Sequence, residues 1–368
     1  MTLVHDDRPQ IVLVGGGHTH ALVLRMLKSA PLGNVGATVI NPTPTTSYSG
    51  MLPGFVAGHY SRDDIEIDLD RLARSAGAQL VTGRAIGMDQ AKKRILLEDG
   101  STLRFDFASI DVGITADMND LDGFGFYGTP AKPLGAFAAR WDQFRSSYCS
   151  KDVVVIGGGI AGAELSMAMA YALRDATDKH NVTLIDRTTL LSNSSRVARR
   201  RIRRSLVKHG VTIRENTCVQ KVSDSFVELE DGATIPANFV VGAAGATPLP
   251  WLSELGLDLH NGLIVVDQTL QTSMAGVFAV GDCAHLAFDP RPKAGVFAVR
   301  QAPVLFENLR SVLTGDDLQS YAPQKDYLKL ISLGAKRAFG EKYGVGVAGR
   351  LVWWVKDRID REFMQQFR

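Results

Sequence analysis

Two glycine-rich turns, each set between an apolar run and a helical stretch, constrain this chain more than any other feature. Val14-Gly15-Gly16-Gly17-His18-Thr19-His20 follows the run Ile11–Val14, and Ile156-Gly157-Gly158-Gly159-Ile160-Ala161-Gly162 follows Val153–Ile156. Strand, tight turn and helix N-terminus stand in that order twice. Glycine lets such a turn close and lets a pyrophosphate approach the backbone, while the free N–H groups and dipole of the helix end attract the anion. A single loop of this kind is a weak signal. Two in the same context predict two dinucleotide sites on one α/β chain.

The stretches after the turns follow a common plan. After the first come a helix over Ala21–Ser29, a strand over Ala37–Ile40 and a helix carrying Ile65, Ile67, Leu69, Leu72 and Ala73. Short strands around Gln79–Thr82, Arg94–Leu97 and Thr102–Phe107 follow, with Asp99-Gly100 as a hairpin turn. After the second come a helix over Ala161–Leu173, a strand over Val182–Ile185 and a turn at Asp231-Gly232. A connector rich in Gly, Pro and aromatic residues runs from Gly123 to Tyr148. Later, a buried strand ends on Gly281-Asp282 and leads through a Pro-rich loop to a helix over Gly295–Leu309.

Composition narrows the function classes. The 368 residues allow two or three cores, and 45% apolar content with 36 glycines suits a soluble enzyme with many tight turns. A net charge of +2 carries no nucleic-acid signature. Cys149, Cys218 and Cys283 are too scattered for a disulfide framework or zinc knuckle, which points to a reducing, cytoplasmic setting. His5-Asp6-Asp7-Arg8 stands where a signal peptide needs an apolar core, and no run reaches a membrane-spanning length, so neither is expected.

The two turns together with Gly281-Asp282 resemble the two-dinucleotide-binding-domain flavoproteins of the pyridine nucleotide-disulfide oxidoreductase superfamily. Segments Ser47-Tyr48-Ser49-Gly50-Met51-Leu52-Pro53-Gly54, Gly58-His59-Tyr60 and Lys293–Gln301 are similar to its type II NADH dehydrogenase-like branch, most of all to the oxidoreductase module sometimes fused to selenide, water dikinase. The resemblance implies two Rossmann-like, three-layer ββα domains. FAD would lie among Gly15, Gly17, His18, Thr19, Asn41, Ser49, Gly50, Ala85, Gly113, Asp282 and Ala294. NAD(P)H would lie among Gly157, Gly159, Ile160, Gly162, Asp186, Arg187 and Gly245. The NAD(P)H domain, 116–247 with the connector, would then be inserted in an FAD domain made of 1–115 and 248–320. Residues 321–368 would form an interface or membrane-contact segment.

The chain departs from that pattern at informative places. His20 replaces the third glycine of the first loop, which predicts wider helix–strand packing there. Asn41 stands where an acidic residue usually grips the FAD ribose, although an amide also bonds hydroxyls. Asp111-Val112-Gly113 replaces the usual Ala-Thr-Gly, and Val296 replaces a quinone-site glutamine, while Arg300-Gln301 remains.

Several side chains carry both a functional and a plain reading. By resemblance Glu164 reaches the nicotinamide carboxamide; the plain reading is a glutamate stabilised by a helix N-terminus. Asp186 ends its strand and would accept from ribose hydroxyls and repel a 2′-phosphate, favouring NADH; Arg187 beside it keeps NADPH open as a donor. Lys132 is a candidate for the flavin N5 edge or an ordinary surface lysine. Asp282 should hold the ribityl chain, with the helix at Ala294-Gly295-Val296 aimed at the flavin pyrimidine edge. His18 and His20 lack a third ligand nearby, so no metal is expected. The run Arg196, Arg199, Arg200, Arg201, Arg203, Arg204 reads as a solvated helix face or an anion-binding patch.

No close cysteine pair exists for a flavin to reduce, and Cys283 reads as a small buried residue. Electrons must pass directly to the acceptor. The expected activity is therefore FAD-dependent transfer of two electrons from NADH to a quinone-like acceptor, with Tyr48, Pro53, Val296, Arg300 and Gln301 as its contacts. A soluble reductase serving a protein carrier or a selenium or sulfur pathway is one alternative; a flavin-bearing sensor with little turnover is another. Read as a helix, Leu351, Val352, Val355, Ile359, Phe363 and Phe367 fall on one side, beside Trp353 and Trp354. That side would meet the inner face of the cell membrane, the FAD domain or a second subunit.

Overall fold

The computed structural model describes residues 8–116, 118–147, 150–174, 180–245 and 247–368. Each apolar run ahead of a glycine turn becomes the middle strand of its own parallel sheet. The framing elements are β1 (Gln10–Val14), α1 (His18–Ser29), β2 (Gly36–Asn41), β3 (Gln79–Thr82), β4 (Phe107–Ile110), β5 (Gly128–Pro130), α2 (Leu134–Ser146), β6 (Lys151–Ile156), α3 (Ile160–Leu173), β7 (His180–Ile185), α4 (Arg196–Lys208), β8 (Thr212–Arg214), β9 (Phe239–Gly242), β10 (Val277–Ala279) and α5 (Gly295–Thr314).

The first sheet has the order β10-β4-β1-β2-β3 and the second β5-β9-β6-β7-β8, so the same topology occurs twice. All strands of the second sheet lie between residues 128 and 242, whereas the first draws on both sides of that span. Registers correspond as well: Val14 pairs with Ile40 and Ile110, and Ile156 with Ile185 and Gly242. The central strands are buried on both faces, which is why they read as unbroken apolar runs. A three-stranded antiparallel sheet is inserted in each half, within 85–104 ahead of β4 and within 219–236 ahead of β9.

Three sequence expectations change. The helix expected through Ile65 to Ala73 is a short helix Arg62–Ile65, a strand Glu66–Asp68 and a helix Leu69–Ser75. Ser61 and Asp64 form a capping box and Asp68 caps the next helix, so each helix has its own start; Ile65, Ile67 and Leu69 recur with the period of a strand. The strand expected over Thr102–Phe107 divides at buried Phe105 into Thr102–Arg104 and β4, in different sheets. The connector contains α2, whose Phe137, Ala138, Trp141 and Phe144 form a buried stripe; Tyr148 and Cys149 lie outside the described residues.

The chain ends in an antiparallel sheet, β11 (Lys329–Ser332), β12 (Ala338–Lys342) and β13 (Val345–Gly349), followed by α6 (Arg350–Gln365). Here the expected apolar side is divided. Phe363 and Phe367 are buried, but Leu351, Val355 and Ile359 face outward. The inner face instead carries Lys356, Asp360, Phe363 and Met364. Lys356 and Asp360 are one turn apart, pair with each other, and so enter the interior together. Among the described residues no helix is long and apolar enough to cross a membrane.

Candidate functional site

The two glycine loops share their bracing. Gly15 N–H donates to Ile40 O and Gly157 N–H to Ile185 O, both at 2.8 Å, and both glycines have positive φ (94° and 116°). Gly16 N–H donates to Asn41 Oδ1 at 2.9 Å, and Gly158 N–H to Asp186 Oδ2 at 2.5 Å. The Asn41 amide also donates to Thr43 O, and Asp186 Oδ1 accepts from Thr188. Both side chains expected at a ribose thus hold their loops shut. Arg187 is exposed beside the second loop.

The helix ends fit a diphosphate. α3 starts at Gly159 with no side-chain cap and no acidic residue in its first turn, and a Cβ on Gly159 would meet nothing within 4 Å. Bare N–H groups with room in front form an anion site. Gly162 lets α3 close on the strand, since a Cβ there would lie 1.9 Å from Gly157 O. At the first loop, Gly17 caps α1 without a side chain, and a Cβ on Gly15 would lie 2.4 Å from Asp111 O. His20 does not wedge helix from strand: its ring lies buried under the loop, bonded to Gly15 O at 2.7 Å and Ser109 Oγ at 2.8 Å. Gly113 and Gly245 both take positive φ at the carboxyl ends of the sheets, and Ala85 opens the strand after β3.

The residues expected at a flavin converge. Gly281 N–H donates to Gln301 Oε1 at 2.7 Å, and Asp282 pairs with Lys132 at 2.7 Å. Lys132 is therefore no free surface lysine. Thr19 Oγ1 donates to Ala298 O at 2.9 Å, tying α1 to α5, and His18 Nδ1 and Ser49 Oγ both lie 3.7 Å from where a Gly295 Cβ would be. Ala294 caps α5 without a side-chain bond, leaving that helix end open. A cavity of about 230 Å³ runs from Gly281, Asp282 and Ala294 to stacked His260 and His285, whose centroids are 4.1 Å apart. These two histidines belong to no motif, and the sequence reading passed over them.

The expected acceptor contacts separate. Gln301 is buried, accepts from Gly281 N–H through Oε1 and lines the same cavity as Asp282, while Arg300 is exposed and Val296 half-buried. Pro53 is buried in the short helix Leu52–Val56. Tyr48 lies under α6, stacked on Phe363 at 4.5 Å with its hydroxyl donating to Asp360 Oδ1 at 3.2 Å. Lys356 Nζ donates to Gly50 O at 2.6 Å and Asp360 Oδ2 at 2.5 Å. Glu164 accepts from Ser332 N–H at 2.6 Å, and burial pushes its carboxyl up to about 7, against the pull of the nearby Lys356 charge. Lys356 and Asp360 escaped notice because polar residues on an amphipathic helix are ordinarily placed on its outer face.

Cys283 is wholly buried, its thiol pushed up to about 12 by burial and by the charge of Asp111, which is the inert state expected of it. Burial holds His18 and His20 down to about 4, so both are neutral at pH 7. Of the arginine run, Arg203 pairs with Glu215 and Arg199 donates to Ser192 O; the exposed remainder lines the outside of α4.

Two Rossmann-like halves, each with a glycine turn leading into a helix end, fit an oxidoreductase that joins a flavin to a pyridine nucleotide. Residues 9–302 match the family described as pyridine nucleotide-disulphide oxidoreductase, and the chain belongs to that family. It is thus an FAD-dependent pyridine nucleotide oxidoreductase. Ferroptosis suppressor protein 1 of Xenopus tropicalis is 25% identical over 299 residues, covering 76% of this chain and 75% of that protein. The mitochondrial internal alternative NAD(P)H-ubiquinone oxidoreductase A1 of Solanum tuberosum is 30% identical over 140 residues, 36% of this chain and 28% of that one. The structure of sulfide:quinone oxidoreductase from Aquifex aeolicus superposes with a TM-score of 0.78 at 16% identity, covering 98% of this chain and 91% of that chain.

Proposed function

We propose that the protein passes two electrons from NADH, by way of FAD, directly to a quinone-like acceptor at a membrane surface. The observation that carries this reading is the two-faced helix α6. Its inner face holds Gly50 through Lys356 and covers Tyr48 with Phe363. Its outer face exposes Leu351 (82%) and Trp354 (56%), and the preceding hairpin adds Tyr343 (77%), Val345 (71%) and Val347 (62%). An apolar patch of this kind marks an interaction surface, and Trp354 under Arg358 suits the headgroup region. The ubiquinone-reducing relative of Solanum tuberosum supports the acceptor class by analogy.

FAD, when bound, supplies the two-electron chemistry. The chain's own residues bind and orient. Residues 1–115 and 248–320 serve as the flavin domain and 116–247 as the nucleotide domain. Asp282 takes the ribityl side, Lys132 paired to it the flavin N5 edge, Glu164 the nicotinamide carboxamide, and the Asp186 carboxylate disfavours a 2′-phosphate and so selects NADH.

The test is the combined variant Val347→Ser, Leu351→Ser, Trp354→Ser, confined to exposed side chains. It should lose vesicle binding and long-chain quinone reduction while NADH-driven ferricyanide reduction persists; retention of both overturns the reading. Deleting 350–368 is unsuitable, because it removes the cover of Tyr48. A second reading rests on the exposed arginines of α4, which would meet an acidic protein carrier. It gains if the combined variant keeps full, salt-sensitive turnover with such a carrier.

A further inference from the structure

We propose that Asp111 makes FAD binding proton-linked, the diphosphate being held tightly only while this carboxyl is neutral. The proposal rests on FAD occupying the first loop and is independent of the acceptor. Asp111 follows β4 and is 4% exposed. Its Oδ2 accepts the N–H groups of Thr19 at 3.0 Å and His20 at 3.2 Å, in the first turn of α1. These are the donors that a bare helix end offers to a phosphate. A Cβ on Gly17 would lie 2.2 Å from the Asp111 Cγ, so the carboxyl stands directly behind the glycine that a diphosphate approaches.

The second loop supplies an internal control. Asp111 N–H donates to Val14 O and Ala243 N–H to Ile156 O, each at 2.8 Å, so the two residues hold equivalent places beyond their sheets. One is a carboxylic acid and the other a methyl group. The nucleotide loop thus presents bare N–H groups, whereas the flavin loop carries a built-in anion.

Among the described residues no cation bonds that anion directly. From α1 it meets Thr19, His20 and, farther out, His18; both histidines are neutral at pH 7. Across Gly281, where a Cβ would lie 2.4 Å from Asp111 Oδ1, stands Asp282, which adds negative charge and is itself paired with Lys132. Cys283 is an uncharged thiol, with Lys293 near it and Asp282, and Gln301 of α5 is neutral. Burial, with the Asp282 charge, pushes the Asp111 carboxyl up to about 7 despite the two N–H bonds.

A diphosphate in front of the same N–H groups adds two negative charges and opposes ionisation further. The complex then takes up a proton that the free protein has lost, so affinity falls as pH rises. The dissociation constant should climb with pH, its slope nearing tenfold per unit only at the alkaline end, for a rise of up to about 15-fold between pH 7 and 8.5.

The experiment titrates apoprotein with FAD by flavin fluorescence from pH 6 to 8.5, with circular dichroism at each pH to confirm folding. The wild type should weaken across that range, while Asp111→Asn and Asp111→Ala should bind with little change. A flat wild-type profile, or the wild-type slope in both folded variants, overturns the proposal. Asp282→Ala is the control for the site: if it leaves FAD affinity intact at pH 6, the placement of FAD has failed rather than the linkage.

Discussion

Lys356→Met tests whether α6 belongs to the site or merely covers it. Lys356 Nζ bonds Asp360 at 2.5 Å and Gly50 O at 2.6 Å, and the two charged side chains are 7% and 6% exposed. Each bond involves a charged group, and such bonds contribute about 1.5–3 kcal/mol apiece. Removing the lysine also strands Asp360 in the interior, where, among the described residues, the Tyr48 hydroxyl is its remaining side-chain partner. Breaking one partner out of a buried pair costs about 3–5 kcal/mol, whereas replacing both by apolar groups is often neutral. Urea unfolding followed by tryptophan fluorescence should therefore show a loss of about 3–5 kcal/mol for Lys356→Met, most of it restored in Lys356→Met/Asp360→Leu. The single variant should also reduce acceptors poorly, since the Gly50 carbonyl has lost its donor. A single-variant loss below about 1 kcal/mol, or a double variant no more stable than the single, refutes the reasoning.

Asp282→Ala should weaken FAD binding by about 1.5–3 kcal/mol, measured by flavin release on dilution, and unchanged retention counts against its role. Glu164 is raised from 4.5 to about 7, so the stability it contributes is full below pH 4.5 and lost as pH rises through 7. Glu164→Gln removes that loss, and its melting temperature relative to wild type should rise across this window; a constant difference refutes the shift. Cys283→Ala should cost about 1 kcal/mol of stability and leave NADH turnover intact, whereas loss of turnover would show that the thiol takes part.

The asymmetry between the two loops shows what each level of description holds. Gly15 and Gly157 were legible because a turn with positive φ followed by a helix is a local demand on a few consecutive residues. Asp282 was legible for the same reason, as a carboxylate delivered to a Gly-marked turn at the end of a buried strand. The roles of Asn41 and Asp186 were legible only halfway. Their position at a strand end was right, but the bonds to Gly16 and Gly158 depend on how neighbouring strands align.

By itself, then, the sequence determined two parallel sheets, two glycine turns feeding helix ends and a scatter of three cysteines far apart along the chain. All of these follow from short-range pattern and residue chemistry. Tertiary structure alone decided that Gln301 holds Gly281, that Asp111 lies against the end of α1, and that Lys356 and Asp360 turn inward on Gly50 and Tyr48. Gly50 and Lys356 are separated by 306 residues, and no local periodicity reports such a contact. The pattern along a helix shows that it has a polar and an apolar side. Which side is buried is settled by the partners that arrive from elsewhere in the chain, and a charged pair that satisfies itself can face inward while leucine and tryptophan are left outside.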